Sequence, residues 1–166
     1  MGGLTDAAVE RHCKQLDWLR SVVIGYFEAG ILRGAAELQL ADGHVPFVCE
    51  VALTVETAWQ DRGVATELMR RTLIVARNRS ARCVRVICLG DNHRIQHVAH
   101  KFGAHFQTSG GESVGEIVTA PPTHASFYEE AIDDGFGWFA AAMDPLKALL
   151  QPAGEDWTGL SSRNSV

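Results

Sequence analysis

Apolar positions along this chain change period several times, and each change marks a new element. After Thr5 and Asp6, either of which can cap a helix, Val9, Cys13, Leu16 and Leu19 recur at helical spacing, which predicts a helix over residues 5–19. Ser21 to Phe27 and Ile31 to Leu40 read as strands joined at the turn Glu28-Ala29-Gly30, a hairpin pattern. Ala41-Asp42-Gly43-His44 is a turn, and Phe47 to Val55 is the strongest strand. Phe47, Cys49, Val51, Leu53 and Val55 share one face of it, and Val48, Glu50, Ala52 and Thr54 share the other. Gly63 to Asn78 returns to helical spacing, with Val64, Ala65, Leu68, Met69, Val75 and Ala76 on one side and Glu67, Arg70 and Arg77 opposite. Cys83 to Leu89 is a short, nearly continuous apolar strand of the buried kind. Asn92 to Phe102 forms a second helix, with Ile95, Val98 and Phe102 inward and Gly103 as its stop. Ala104 to Gln107 and Ser113 to Thr119 form a closing hairpin around Ser109-Gly110-Gly111.

Pro121-Pro122 then breaks the pattern. Ser126 with Glu129 reads as a capping box, and Gly135 and Gly137 divide the aromatic-rich segment that follows into two short helices. That segment either covers the core or forms a subunit interface, which would make the protein a homodimer; the sequence leaves both open. The expected organisation is therefore one domain over residues 1–120, a helical extension over 121–151 and a loose polar tail over 152–166. Strands first, then strand-helix-strand-helix-strand, indicate an α/β (α+β) fold whose sheet is largely antiparallel at its start.

Composition narrows the function. A chain of 166 residues with 46% apolar and 21% charged residues has the size and balance of one globular domain. A formal charge of -5 argues against a nucleic-acid partner, which needs clustered Lys and Arg. One local cluster runs the other way: Arg70, Arg71, Arg77, Arg79, Arg82 and Arg85 read either as a solvated helix face or as a steering field for a polyphosphate. No apolar run approaches the ~18 residues of a membrane helix. No basic start leads into an apolar stretch, so the expected location is the cytoplasm. The four cysteines form no CxxC pair and show no metal-ligand spacing, so no metal is expected.

The chemistry concentrates in Glu50 to Ala65, where a strand enters a short loop and a glycine opens a helix. The first amides of a helix lack internal partners and carry partial positive charge. Gly63 has no Cβ to keep an anion from the backbone, and Ala65 keeps the next turn small. The combination suits a phosphate or pyrophosphate, although a glycine-punctuated loop also occurs in α/β proteins without one. A simple nucleotide-binding domain is a poor match, because no Walker lysine follows the glycine loop.

Gln60-x-x-Gly63-x-Ala65 resembles the acetyl-CoA signature of the GNAT acetyltransferases, Gln/Arg-x-x-Gly-x-Gly/Ala. The likeness extends through Trp59 to Met69. Asn92-x-x-Ile95-x-x-Val98-x-x-Lys101-Phe102-Gly103 is similar to the second cofactor motif of that superfamily. The resemblance as a whole covers roughly residues 21–119 and is closest to the bacterial protein-lysine acetyltransferase-like branch, whose corresponding strand reads much like Glu50-Val-Ala-Leu-Thr-Val55. The resemblance implies a GNAT fold: a mixed, mostly antiparallel central sheet flanked by helices, here with a C-terminal helical extension. It also implies acetyl-CoA as cosubstrate. In the resembling enzymes the loop's backbone amides, here at Gln60, Asp61, Arg62, Gly63, Val64, Ala65 and Thr66, hold its pyrophosphate; amides near Leu53, Thr54 and Val55 would polarise the thioester carbonyl, and Asn92 would meet the pantetheine arm. Residues 1–120 become an acyl-CoA-binding catalytic domain.

The implied reaction moves an acetyl group directly to a primary amine, on a protein lysine or a small molecule, with Glu50 as general base. Glu50 is the one ionisable residue inside the most apolar strand, and charged groups seldom sit there without a partner or a purpose. The bland counterpart is a carboxylate in a salt bridge or at a sheet edge; Glu56, in the loop, is the rival base. Where many relatives carry a tyrosine acid this chain has Ala99, and Ala104 stands where phenylalanine is usual; His97 and His100 lie nearby as alternative acids. The alternative function is a catalytically silent acyl-CoA-binding sensor or assembly module.

Overall fold

The computed structural model describes Lys14, Asp17, residues 19–40 and residues 48–135. The expected helix over 5–19, the turn at 41–44, the second half of the aromatic-rich segment and the tail lie outside this described set or almost wholly so.

Strands β1 (Ser21–Glu28) and β2 (Ile31–Leu40) pair antiparallel. The two residues between them, Ala29 and Gly30, are both left-handed at φ 50° and 76°, as a tight two-residue hairpin requires. β3 (Val48–Val55) pairs antiparallel with β2. A short 3-10 turn at Thr57–Trp59 leads to helix α1 (Val64–Asn78), which returns the chain so that β4 (Cys83–Leu89) lies parallel to β3. Helix α2 (His93–His100) follows, with Asn92 as its N-cap and left-handed Gly103, φ 80°, just past its end. β5 (His105–Ser109) and β6 (Glu112–Val118) close the sheet as a hairpin over Gly110-Gly111. The six-stranded sheet has the order β1-β2-β3-β4-β6-β5, antiparallel at every junction except β3–β4.

The expected alternation on β3 holds. Cys49 and Val51 are buried while Glu50, Ala52 and Thr54 are exposed. The inward row joins Leu38, Val84, Val86 and Ile117 from neighbouring strands, Met69, Val75 and Ala76 from α1, and Ala99 from α2 in one core. A smaller cluster of Ala36, Val64 and Leu68 seats the first turns of α1 on β2. There the helix presses so closely that a Cβ on Gly34 would lie 3.2 Å from Leu68, Val64 and the Thr54 carbonyl. The N-terminus of α1 is thereby held at a set height above the end of β3.

Residues 124–135 form a helix, α3, packed along α1. Its capping box begins three residues earlier than the sequence pattern suggested. The Ser126 amide donates to Thr123 Oγ1 at 3.2 Å, and the Thr123 amide donates to Ser126 Oγ at 3.0 Å. Thr123 follows the two prolines directly, so it, and not Ser126, occupies the cap. Arg70, Arg71, Arg77 and Arg79 have another role than either sequence reading, whereas Arg82 and Arg85 are exposed. Arg70 forks onto Glu67 and Asp133 at 2.8–2.9 Å, and Arg71 reaches Glu67. Arg77 donates to the Pro121 carbonyl at 2.8 Å, and Arg79 pairs with Glu130 at 3.2 Å. These side chains fasten the 121–133 segment to α1.

Candidate functional site

The parallel register between β3 and β4 runs only from Val48↔Cys83 to Val51↔Val86. Beyond it, Ala52 to Val55 pair only with β2, and Ile87 to Leu89 only with β6. The two central strands therefore part at their C-terminal ends. Peptide groups of Ala52 to Val55 that point away from β2 face the opening without a strand partner.

Above that opening lies a cavity of about 550 Å3. Its walls are the end of β3 (Leu53, Val55), the loop and first turn of α1 (Gln60, Asp61, Gly63, Ala65, Thr66) and one face of α2 (Asn92 to Ile95, His97, Val98, Lys101). The loop is held by the Gln60 side chain, whose Nε2 donates to the Val55 carbonyl at 3.1 Å. The first intrahelical bond of α1 runs from the Glu67 amide to the Gly63 carbonyl at 3.0 Å. The amides of Val64, Ala65 and Thr66 precede it and have no partner within the helix. Gly63 adopts φ 84°, and a Cβ there would meet no protein atom within 4 Å. The space at the missing Gly63 Cβ, beside the α1 amides, is free of protein atoms, and α2 lines the cavity along its length.

Basic groups complete the wall. His93, Arg94, His97 and Lys101 all come from α2. Arg94 bridges to the opposite side: Nη1 hydrogen-bonds Gln60 Oε1, and Nη2 lies 3.6 Å from Asp61 Oδ2. The α1 N-terminus, cationic side chains and an apolar floor of Leu53, Val55, Ile95 and Val98 suit a long ligand with an anionic head and a less polar arm.

Eight of the candidate residues, Leu53, Val55, Gln60, Asp61, Gly63, Ala65, Thr66 and Asn92, line this cavity. The others do not. Thr54 is on the opposite face of β3, and Val64 is 3% exposed in the core. The Arg62 guanidinium lies 4.9 Å over the Trp59 ring, which Arg33 covers at 5.4 Å. Asn92, although on the wall, also caps α2: its side-chain Oδ1 accepts from the Ile95 amide at 3.4 Å. Glu50 lies across the sheet from the cavity, between Gln39 of β2 and Arg85 of β4. Its neighbour Arg85 donates to Glu116 at 3.0 Å, and among the described residues Glu50 itself makes no ion pair or hydrogen bond. Glu56 is tied to Arg33 at 2.9 Å.

Of the two histidines, His97 is on the cavity wall, whereas His100 hydrogen-bonds the Ala104 carbonyl through Nδ1 at 3.0 Å and packs edge-on against Phe106. Arg94, His93 and Lys101 were not among the expected binding residues. The spacing of His93, His97 and Lys101, at i, i+4 and i+8, was a legible signal of one basic helix face. Burial pushes the thiols of Cys83 and Cys88 up and that of Cys49 to about 11, so these cysteines stay protonated and none is a wall residue.

The family model described as "Acetyltransferase (GNAT) family" matches residues 4–104. Among solved structures, the GNAT domain of S. lividans PAT is similar over 69% of this chain and 69% of its own, at 24% identity and a TM-score of 0.59. The yncA protein of Salmonella typhimurium, solved with its cofactor acetyl-CoA, is similar over 72% of this chain and 77% of its own, at 17% identity and a TM-score of 0.55. The cAMP-binding acyltransferase of Mycobacterium smegmatis is similar over 89% of this chain but only 45% of its own, at 20% identity and a TM-score of 0.57. At these identities the likeness shows the fold. No curated protein matches the sequence.

Proposed function

The chain belongs to the acetyltransferase (GNAT) family, and from that premise we propose that it transfers acetyl groups from acetyl-CoA to a primary amine, on a protein lysine or a small molecule, with Glu50 as the general base. The cavity fits the cosubstrate: open space at Gly63 lets a phosphate approach the α1 amides, and basic side chains line the facing helix. Bound acetyl-CoA supplies an acyl group activated as a thioester. The protein's part is to hold, orient and deprotonate. Unpaired peptide groups at the end of β3 are suitably placed to orient the acyl carbonyl by hydrogen bonding.

An alkylammonium is no nucleophile, and freeing the amine at pH 7 costs on the order of 4–5 kcal/mol from a pKa of ~10.4. A carboxylate positioned beside the acceptor lowers this barrier by taking the proton. The observation that carries the Glu50 assignment is its place next to Val51, the last residue of β3 in parallel register, on the face opposite the cavity. An acyl group reaching through the parted strands would meet an acceptor arriving from that face. The salt-bridge explanation for this carboxylate is weakened because Arg85 is committed to Glu116. Ala99, 0% exposed, leaves α2 no tyrosine acid at the position its relatives use, and a thiol leaving group near pKa ~8.5 departs readily without one.

A panel of amines incubated with acetyl-CoA and read by mass spectrometry tests the activity; an intact protein that binds acetyl-CoA and acetylates nothing would support the silent sensor instead. On the acceptor so found, Glu50→Gln should keep acetyl-CoA affinity and lower kcat by ~100-fold or more at neutral pH. The deficit should shrink at high pH, where free amine is abundant. Undiminished kcat at neutral pH would remove Glu50 from the mechanism.

A further inference from the structure

The side chain of Arg94 spans the cavity mouth. It leaves the first turn of α2 and reaches Gln60 and Asp61 in the loop before α1. Gln60 is itself held from behind by the Val55 carbonyl at 3.1 Å. The result is a continuous strap from the end of β3, through Gln60, to α2, beside the open Gly63 cradle.

The strap also contains a charge that suits no anionic ligand. Asp61 lines the same wall and presents a carboxylate where the α1 N-terminus and the basic face of α2 favour a phosphate. Its only ion-pair partner among the described residues is Arg94, at 3.6 Å. Both groups are well exposed, Arg94 at 68% and Asp61 at 78%, so the pair is weak and cheap to break.

We propose that Arg94 is an exchange residue, held by Asp61 and Gln60 while the cavity is free and transferred to a phosphate of the acyl-CoA when it binds. Asp61 is the protein's own stand-in for that phosphate. The ligand must displace it, and this makes the mouth selective for an anion that outcompetes a single carboxylate. A diphosphate does so by accepting charge-assisted hydrogen bonds from the guanidinium and from the helix amides together. The inference rests on the acyl-CoA reading of the cavity and adds to it a residue that the Gln60-x-x-Gly63-x-Ala65 pattern does not contain.

The exchange predicts opposite signs for two neighbouring substitutions. By calorimetry with acetyl-CoA, Arg94→Ala should weaken binding about tenfold or more, the worth of a charge-assisted bond. Asp61→Asn should strengthen it ~2- to 5-fold, because the competitor for Arg94 is gone. In the Arg94→Ala background the gain from Asp61→Asn should shrink, since no guanidinium remains to release. Exposed positions make both variants expected to fold, with thermal unfolding close to that of wild type. If Arg94 merely braced the loop, both substitutions would weaken binding; that result, or an Arg94→Ala protein with unaltered affinity, overturns the exchange and leaves the coenzyme site intact. A wild-type chain that bound no acetyl-CoA would overturn the coenzyme reading and the exchange together.

Discussion

Two demands meet at Gly63, and substitution can separate them. Its φ of 84° favours glycine whatever lies nearby, and the empty space around its missing Cβ is where an anion would approach. From sequence alone only the second demand was visible. Gly63→Ala meets the backbone demand with ~1–2 kcal/mol of left-handed strain and adds little bulk. Gly63→Asp adds bulk and negative charge at the helix N-terminus. Acetyl-CoA affinity should therefore fall at least tenfold, ~1.4 kcal/mol, in Gly63→Asp, and less in Gly63→Ala. Equal losses in the two folded variants would point to strain, and normal binding by Gly63→Asp would remove the phosphate from this loop. Glu50 shows the complementary limit: the period-two pattern on β3 put it on the face opposite Val51, but the pattern could not say that Arg85 would be engaged by Glu116.

At the scale of elements, the arginines of α1 are the main surprise. On a helical wheel they form a polar face; in the fold that face is where α3 docks. Arg70 is the hub, with Glu67 on its own helix and Asp133 across the junction, and the hydrogen bonds it donates to both raise its pKa further. Hydrogen bonding from Arg70, the largest influence, holds the Glu67 carboxyl below its ordinary value of 4.5, against a smaller opposing effect of burial. A carboxyl depressed in the folded state stabilises the fold above the unfolded pKa and loses that contribution as pH falls through the folded one. The melting temperature should thus decline as pH drops below about 4.5, and Arg70→Met should decline less over that window because its Glu67 has less to lose. At neutral pH Arg70→Met should cost about 1 kcal/mol, since the groups are partly solvated. A variant with an unchanged acid profile would show that the Arg70–Glu67 bond does not set the acid limit of stability. Asn78 adds an uncharged clasp, donating to the Ser126 carbonyl at 2.9 Å and to Glu130 at 2.6 Å.

For the molecule as a whole, the cavity joins β3 and the α1 loop that directly follows it to α2, which comes a helix and a strand later; the space between them opens because the β3–β4 register ends at Val51↔Val86. A ligand that binds this assembled site and not the unfolded chain raises stability by mass action. At a hundredfold excess over Kd the gain is about 2.7 kcal/mol, a rise in Tm of ~5–10 °C for a domain of this size. Scanning calorimetry with acetyl-CoA should show that rise, and its absence at saturating ligand would contradict a single preformed site. No described helix is long and apolar enough to cross a membrane.

What the sequence determined by itself is what depends on near neighbours. Period-two and helical spacing placed every described strand and the two helices α1 and α2 within a few residues, and the Gln60 to Ala65 pattern located the α1 end of the cavity. Such features follow from backbone geometry over two to four residues, so they survive in a linear reading. Tertiary structure alone decided what each polar face meets. Arg70 finds Asp133 63 positions away, and Arg94 finds Gln60 34 positions away. Those partners are chosen by how the sheet order brings α1, α2 and α3 together, and no local period encodes that choice.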